Sequence, residues 1–249
     1  MKKLFLLVFT LFTTSVALQA QIDAIPAKKG NIILEPITHA TMVLKWHGKT
    51  IFVDPYGGAD KLKAFPAPDL VLITDIHGDH MNLETLKGLD LSKSTLIAPQ
   101  AVADGVKEIR FKKTVVIGNG GSTKWKGIKV EALPMNNLPE TDDSRHPKGR
   151  GNGYVLNMGG QRLYISGDTE DIPEMRALQN IDVAFVCMNM PYTMTVEQAA
   201  DAVLAFKPKV VYPFHYRGQG GLSDVDHFKE LVNKGNEGID VRLRNWYPQ

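Results

Sequence analysis

Only one cysteine, Cys187, occurs in the 249 residues. A disulfide within the monomer is therefore excluded, and the fold must rest on its core, with or without help from a metal. Charge of one sign is scarce too. Twenty-nine Lys and Arg stand against 27 Asp and Glu, interspersed, for a formal net charge of +2, so nothing in the electrostatics requires a nucleic-acid partner. Linkers rich in Pro, Ser and Gly, low-complexity runs and short-period repeats are missing from residues 21–249, which read as one domain. An unbroken apolar run of the roughly twenty residues that a membrane span needs is missing as well. The nearest approach, Leu4 to Leu18, is interrupted by Thr10, Thr13, Thr14 and Ser15. It follows Lys2 and Lys3 and precedes Ala20, so residues 1–20 read as an export signal cleaved before Gln21. No cysteine stands at that point to accept a lipid. The expected location is the periplasm of a Gram-negative source, or outside the cell otherwise, with no stable membrane anchor.

What is present is a set of apolar strands that stop at metal-capable side chains. Residues 71–80 read VLITDIHGDH: a short aliphatic run, then Asp75, His77, Asp79 and His80 within six residues. The aspartates could cap a helix and the histidines could be hydrated loop residues, but His and carboxylate in this density match metal ligation. RLYISGDTED stops at Asp168 and KVVYPFHYRG at His215. Taken singly, Asp168 could start a helix and His215 could be a half-buried histidine. Three strand ends converging would make a metal centre.

The surrounding pattern is mixed α/β. GNIILEPI, ATMVLKWHG and KTIFVDPY read as strands, with HGKT, residues 47–50, as the hairpin turn between the last two. KTVVIGNG, IKVEALPM, GYVLNMGG and RLYISGD continue as strands, with Gly159-Gly160 as a second hairpin turn. Helices are expected in NLETLKGL and in TVEQAADAVLAFKP, where Thr195 and Gln198 form a capping box. Two β-rich halves, each ending in a helical return, give a four-layer αββα sandwich with strand ends meeting along one edge.

Asp75-Ile-His77-Gly-Asp79-His80, Gly167-Asp168 and Pro213-Phe-His215 resemble the metallo-β-lactamase-fold hydrolases, whose loop motif is H-x-H-x-D-H. Within them, THATMVLKWHGKTIFVDP, RHPKGRGNGYV, YISGDTEDIPEM and TMTVEQAADAVLAFKPKVVYPFHY are similar to the branch containing ascorbate-6-phosphate lactonase-like and N-acyl-phosphatidylethanolamine phospholipase D-like proteins. The resemblance implies one metal held by Asp79, His80, His215 and a bridging Asp168. A second position would use His77 and Asp168 but departs twice: Asp75 stands for the first histidine, and Asn137 is the expected substitute for a third. Oxygen donors in place of imidazole imply one tight metal and one weak one. Zinc is the first expectation, with manganese or iron as alternatives with more taste for oxygen.

The implied activity is hydrolysis of an ester-like, lactone or phosphodiester substrate by metal-activated water, with Asp79 helping to orient the nucleophile. The alternative is a non-catalytic metal- or ligand-binding module that keeps the fold. The partner is a small molecule; Arg145, Lys148 and Arg150 could seat an anionic group or simply be solvated. His146 is expected as a proton donor or substrate contact, and His39 either orients a ligand or faces solvent. His47 and His227 lie away from the strand ends. Tyr192, Met194 and Tyr216 could wall the pocket or pack.

Overall fold

The computed structural model describes residues 22–141 and 143–248, so the export-signal reading falls outside the described residues. Seven strands form the first sheet in sequence order: β1 (Asp23–Ile25), β2 (Ile32–Thr38), β3 (Thr41–Trp46), β4 (Lys49–Val53), β5 (Leu70–Leu72), β6 (Thr95–Ala98) and β7 (Lys113–Val116). The first four pair antiparallel and the last three are added parallel. The second sheet repeats that plan. Strands β8 (Ser122–Trp125), β9 (Ile128–Leu133), β10 (Gly153–Met158) and β11 (Gln161–Ile165) pair antiparallel. Then β12 (Val183–Cys187) and β13 (Val210–Phe214) follow parallel. After a small hairpin of β14 (Arg217–Gly218) and β15 (Gly221–Leu222), β16 (Asp240–Val241) closes the sheet beside β13, also parallel.

The strand pleat builds the layers. Leu70 and Leu72 of β5 face the core between the sheets, whereas Val71 between them joins an outer cluster with Leu86 and Val102. Those two belong to α2 (Leu83–Lys87) and α3 (Gln100–Gly105), which follow the one-turn α1 (Ala59–Lys63) on that side. Beyond the short α4 (Pro173–Arg176), the second sheet is covered by α5 (Val196–Phe206) and α6 (Val225–Gly235). Phe206 of α5 meets Tyr164 of β11 edge to face, with ring centroids 5.9 Å apart. The four-layer expectation therefore holds. No helix among the described residues is long and apolar enough to cross a membrane.

Local chemistry accounts for the connections. His47 and Gly48 both have positive φ, 49° and 70°, as the tight turn joining β3 and β4 requires. Thr195 and Gln198 form the reciprocal capping box of α5. KTVV differs from expectation: it does not continue toward IKVEALPM but pairs with β6 at the edge of the first sheet, and STKW supplies the extra strand β8. Asp168 caps no helix, since α4 begins five residues later after Ile172.

Candidate functional site

The site forms where parallel strands end, the edge at which α/β sheets present their loops. Asp54 follows β4, Thr74 and Asp75 lie just beyond β5, Asp168 follows β11, Asn189 follows β12 and His215 follows β13. Gly167 makes the convergence possible. Its φ is +63°, and a Cβ there would lie 2.5 Å from Met135 Sδ.

Asp168 sits among three imidazoles. Its Oδ2 lies 3.4 Å from both His80 Nε2 and His146 Nε2, and its Oδ1 lies 3.3 Å from His215 Nε2. Asp79 Oδ2 is 3.4 Å from the same His215 nitrogen. The expected set of Asp79, His80, Asp168 and His215 is thus brought together. Beside it, Asp75, His77 and His146 present ligand atoms within 4.8 Å of one another. His77 Nδ1 is 2.7 Å and His146 Nε2 3.9 Å from Asp75 Oδ2.

Two sequence expectations change here. Asn137 does not point into the centre: its Nδ2 donates to Glu170 Oε1 and to the Tyr192 carbonyl, and its Oδ1 accepts from the His146 backbone N–H at 2.8 Å. That oxygen also lies 3.1 Å from His146 Nδ1, so Asn137 positions the histidine instead of replacing one. His146, expected as a proton donor or substrate contact, is fully buried with Nε2 turned toward Asp168, so it joins the ligand cluster. The reason is tertiary: the 134–152 loop folds back over the sheet edge, with Asn137 N–H bonded to the His146 carbonyl.

The fit to a metal is tested by orphaned atoms. His80 Nε2, His146 Nε2 and Asp168 Oδ1 are buried and lack a hydrogen-bond partner. Buried polar atoms are rarely left so, and here they cluster on one spot with a His/carboxylate donor set suited to a divalent metal. Burial opposes the charge on Asp168, yet neighbouring His215 and His80 hold its carboxyl well below the usual range. Burial likewise opposes the imidazolium of His80, but Asp168 and Asp54 raise it well above 6.5. Burial would raise Asp75, but the His77 contact and the charges of His80, His77 and Arg150 hold it at about 2.

Three residues escaped the sequence reading. Asp54 Oδ2 lies 2.9 Å from His80 Nδ1 and accepts from Thr74 Oγ1 at 2.7 Å, with Thr74 N–H on Oδ1 at 2.8 Å. That buried chain fixes the His80 ring with Nε2 toward the centre, as a carboxylate behind a metal-binding imidazole does. Asn189 Nδ2 lies 3.5 Å from Asp168 Oδ2 and 3.3 Å from His215 Nε2. FVDP shows the same strand-end pattern as the other segments and could have revealed Asp54; neither Thr74 nor Asn189 carries such a signal.

The remaining candidates sort clearly. His39 lines the cleft and packs edge to face on His215 and Tyr247, its ring centroid 5.3 and 5.0 Å from theirs, while its carbonyl accepts from His215 N–H. Burial, with His215 nearby, lowers the His39 pKa to about 4. Tyr192 lines the cleft, whereas Met194 and Tyr216 are buried packing residues. His47 sits in its hairpin turn beside Trp46, and His227 is on α6 near Glu197 and Glu230.

Residues 34–215 match the family model described as the beta-lactamase superfamily domain. A UPF0173 metal-dependent hydrolase of Pyrococcus abyssi is 30% identical over 195 residues, covering 74% of this chain and 85% of that protein. A crystal structure from Parabacteroides distasonis, provisionally named a metal-dependent hydrolase, superposes with a TM-score of 0.79 at 36% identity, covering 90% of this chain and 98% of the other. Igni18, a metallo hydrolase of Ignicoccus hospitalis, superposes with a TM-score of 0.72 at 25% identity, covering 86% and 95%. With its strand-end cluster of His and Asp, the chain belongs to the β-lactamase superfamily and is a relative of the UPF0173 metal-dependent hydrolases.

Proposed function

We propose that the chain is an exported hydrolase of an ester-like, lactone or phosphodiester substrate. In this reading Asp79, His80, His215 and Asp168 hold one divalent metal, zinc first, and Asp75, His77, His146 and Asp168 can hold a second. The observation that carries it is Asp168, within 3.4 Å of imidazole nitrogens from three separate loops. When bound, the metal supplies Lewis acidity and lowers the pKa of a water molecule.

The chain's own residues do the rest. Asp54 and Thr74 keep His80 in one orientation, and Asn137 does the same for His146. Asp79, about one-third exposed and facing the cleft, would help orient the attacking water. Asn189, at the cleft floor, can donate to a substrate oxygen.

The test is turnover. Mature protein loaded in turn with zinc, manganese and iron is assayed on lactones, phosphodiesters, thioesters and β-lactams. Metal-dependent cleavage within the first two classes is expected. Tight metal binding with no cleavage in any class would favour a binding module.

A further inference from the structure

The three cations of the 145–150 segment are not equivalent. Lys148 is held between Glu140 and Glu174, at 2.8 and 2.9 Å, and Arg150 is paired with Asp75. Arg145 has no carboxylate partner among the described residues; its guanidinium stacks on the Tyr192 ring, 4.4 Å from the centroid. Its backbone is fixed from both sides, by Arg150 Nη2 on its carbonyl at 2.5 Å and by the Asn137 contacts of the next residue.

A second arginine reaches the same cleft from another element. Arg217, on β14, also has no carboxylate partner among the described residues, and its guanidinium lies 4.7 Å from the Tyr247 ring centroid. The hairpin that carries it is locked in place. Arg217 N–H donates to Tyr247 Oη at 3.1 Å, Gln219 N–H donates to the Met190 carbonyl at 3.0 Å, and Ser223 Oγ donates to the Met188 carbonyl. Gly218 touches that backbone so closely that a Cβ would fall 1.8 Å from Met190 O. Both arginines line one cleft of about 360 Å³, together with Asp79, Asp168, Asn189 and Tyr192.

We propose that Arg145 and Arg217 seat an anionic oxygen group of the substrate, a carboxylate or a phosphate, in the cleft beside the metal-binding cluster. This rests on the hydrolase reading above and names its substrate class. The physical case is threefold. Packing over a tyrosine ring holds each guanidinium without consuming its hydrogen-bond donors. A guanidinium offers paired N–H groups that match carboxylate and phosphate oxygens. A cleft already containing Asp79 and Asp168 would otherwise repel an anion, so two uncompensated cations at its walls change which molecules enter.

Binding of inorganic phosphate and of succinate to the zinc-loaded chain and to the chelator-treated chain is measured by calorimetry. The samples are wild type, Arg145→Gln, Arg217→Gln and the double variant, with zinc content determined on each. At least one anion is expected to bind, which of the two binds identifying the group. Each single substitution should weaken it roughly five- to tenfold, more in the double variant, with zinc content unchanged. Equal affinity in wild type and variants, or no binding of either anion at millimolar concentration, would overturn the proposal. Failure of the hydrolase reading looks different: zinc is not retained by the wild type, while any arginine-dependent anion affinity persists.

Discussion

Arg150 grips both oxygens of the Asp75 carboxylate, Nε to Oδ1 at 3.3 Å and Nη2 to Oδ2 at 3.2 Å. The same Nη2 lies 3.4 Å from His77 Nε2. Asp75 stands where the H-x-H-x-D-H motif that this loop resembles has an imidazole, a group that is neutral when it ligates. A carboxylate there adds a negative charge and Arg150 cancels it, so the pair resembles the residue it replaces in net charge though not in geometry. The cation also sits close to where a second metal would bind.

Arg150→Met is therefore expected to tighten the second metal equivalent, by about tenfold or more, because a like charge a few ångströms away is removed. Metal titration followed by native mass spectrometry reads this directly. Loss of the second equivalent instead would mean that Arg150 serves mainly to hold Asp75 in place.

Asp54→Asn should lower metal affinity at the His80 position by about 10- to 100-fold while the fold persists, since the carboxylate behind the ring orients it and raises its basicity. A chelator competition assay measures the change. Unaltered affinity would reduce the Asp54–His80 contact to a packing detail.

His146→Ala and Asn137→Ala separate a ligand from its support. The first should abolish the second metal equivalent and the second should only weaken it, because the His146 ring keeps its burial when Asn137 Oδ1 is gone. Metal content after dialysis against a weak chelator distinguishes them. An Asn137→Ala loss as complete as that of His146→Ala would indicate that ring orientation, not donor identity, controls the site.

Metal-free protein should have an inverted pH response. His80 and His215 are raised above 6.5 by Asp168 and its neighbouring carboxylates against the pull of burial, so they contribute stability below 6.5 that is lost as pH rises through their folded values. Asp75, held at about 2 against 3.8, contributes stability above 3.8 that is lost on acidification toward 2. His39, lowered to about 4, works the other way below 6.5, one imidazole against the two that are raised, so the chelator-treated chain is expected to melt higher near pH 5.5 than near pH 8.5. Zinc, which needs the imidazoles unprotonated, should raise the melting temperature more at the higher pH. A metal-free chain that is more stable near pH 8.5 would contradict this.

What could be read from the sequence was what is written locally. DIHGDH, SGD and PFH each place a polar residue at the end of an apolar strand, and all three reach the centre. His146 carries no such sign, because it lies in a long loop that reaches the cluster only when the segment folds back, with Asn137 N–H on the His146 carbonyl. Asp54 stood alone in FVDP, its imidazole partner 26 residues further on. Arg145, Lys148 and Arg150 look alike in sequence and take three different partners in the structure: a ring, two glutamates and an aspartate.

Metal retention by Asp168→Ala tests the central claim most directly. Asp168 is the side chain that the proposed function gives to both metal positions, and it lies within 3.4 Å of His80, His146 and His215. The variant should retain no metal after dialysis, whereas Asp75→Ala should keep one equivalent. Wild-type metal content in Asp168→Ala would contradict the account of a centre organised around this carboxylate.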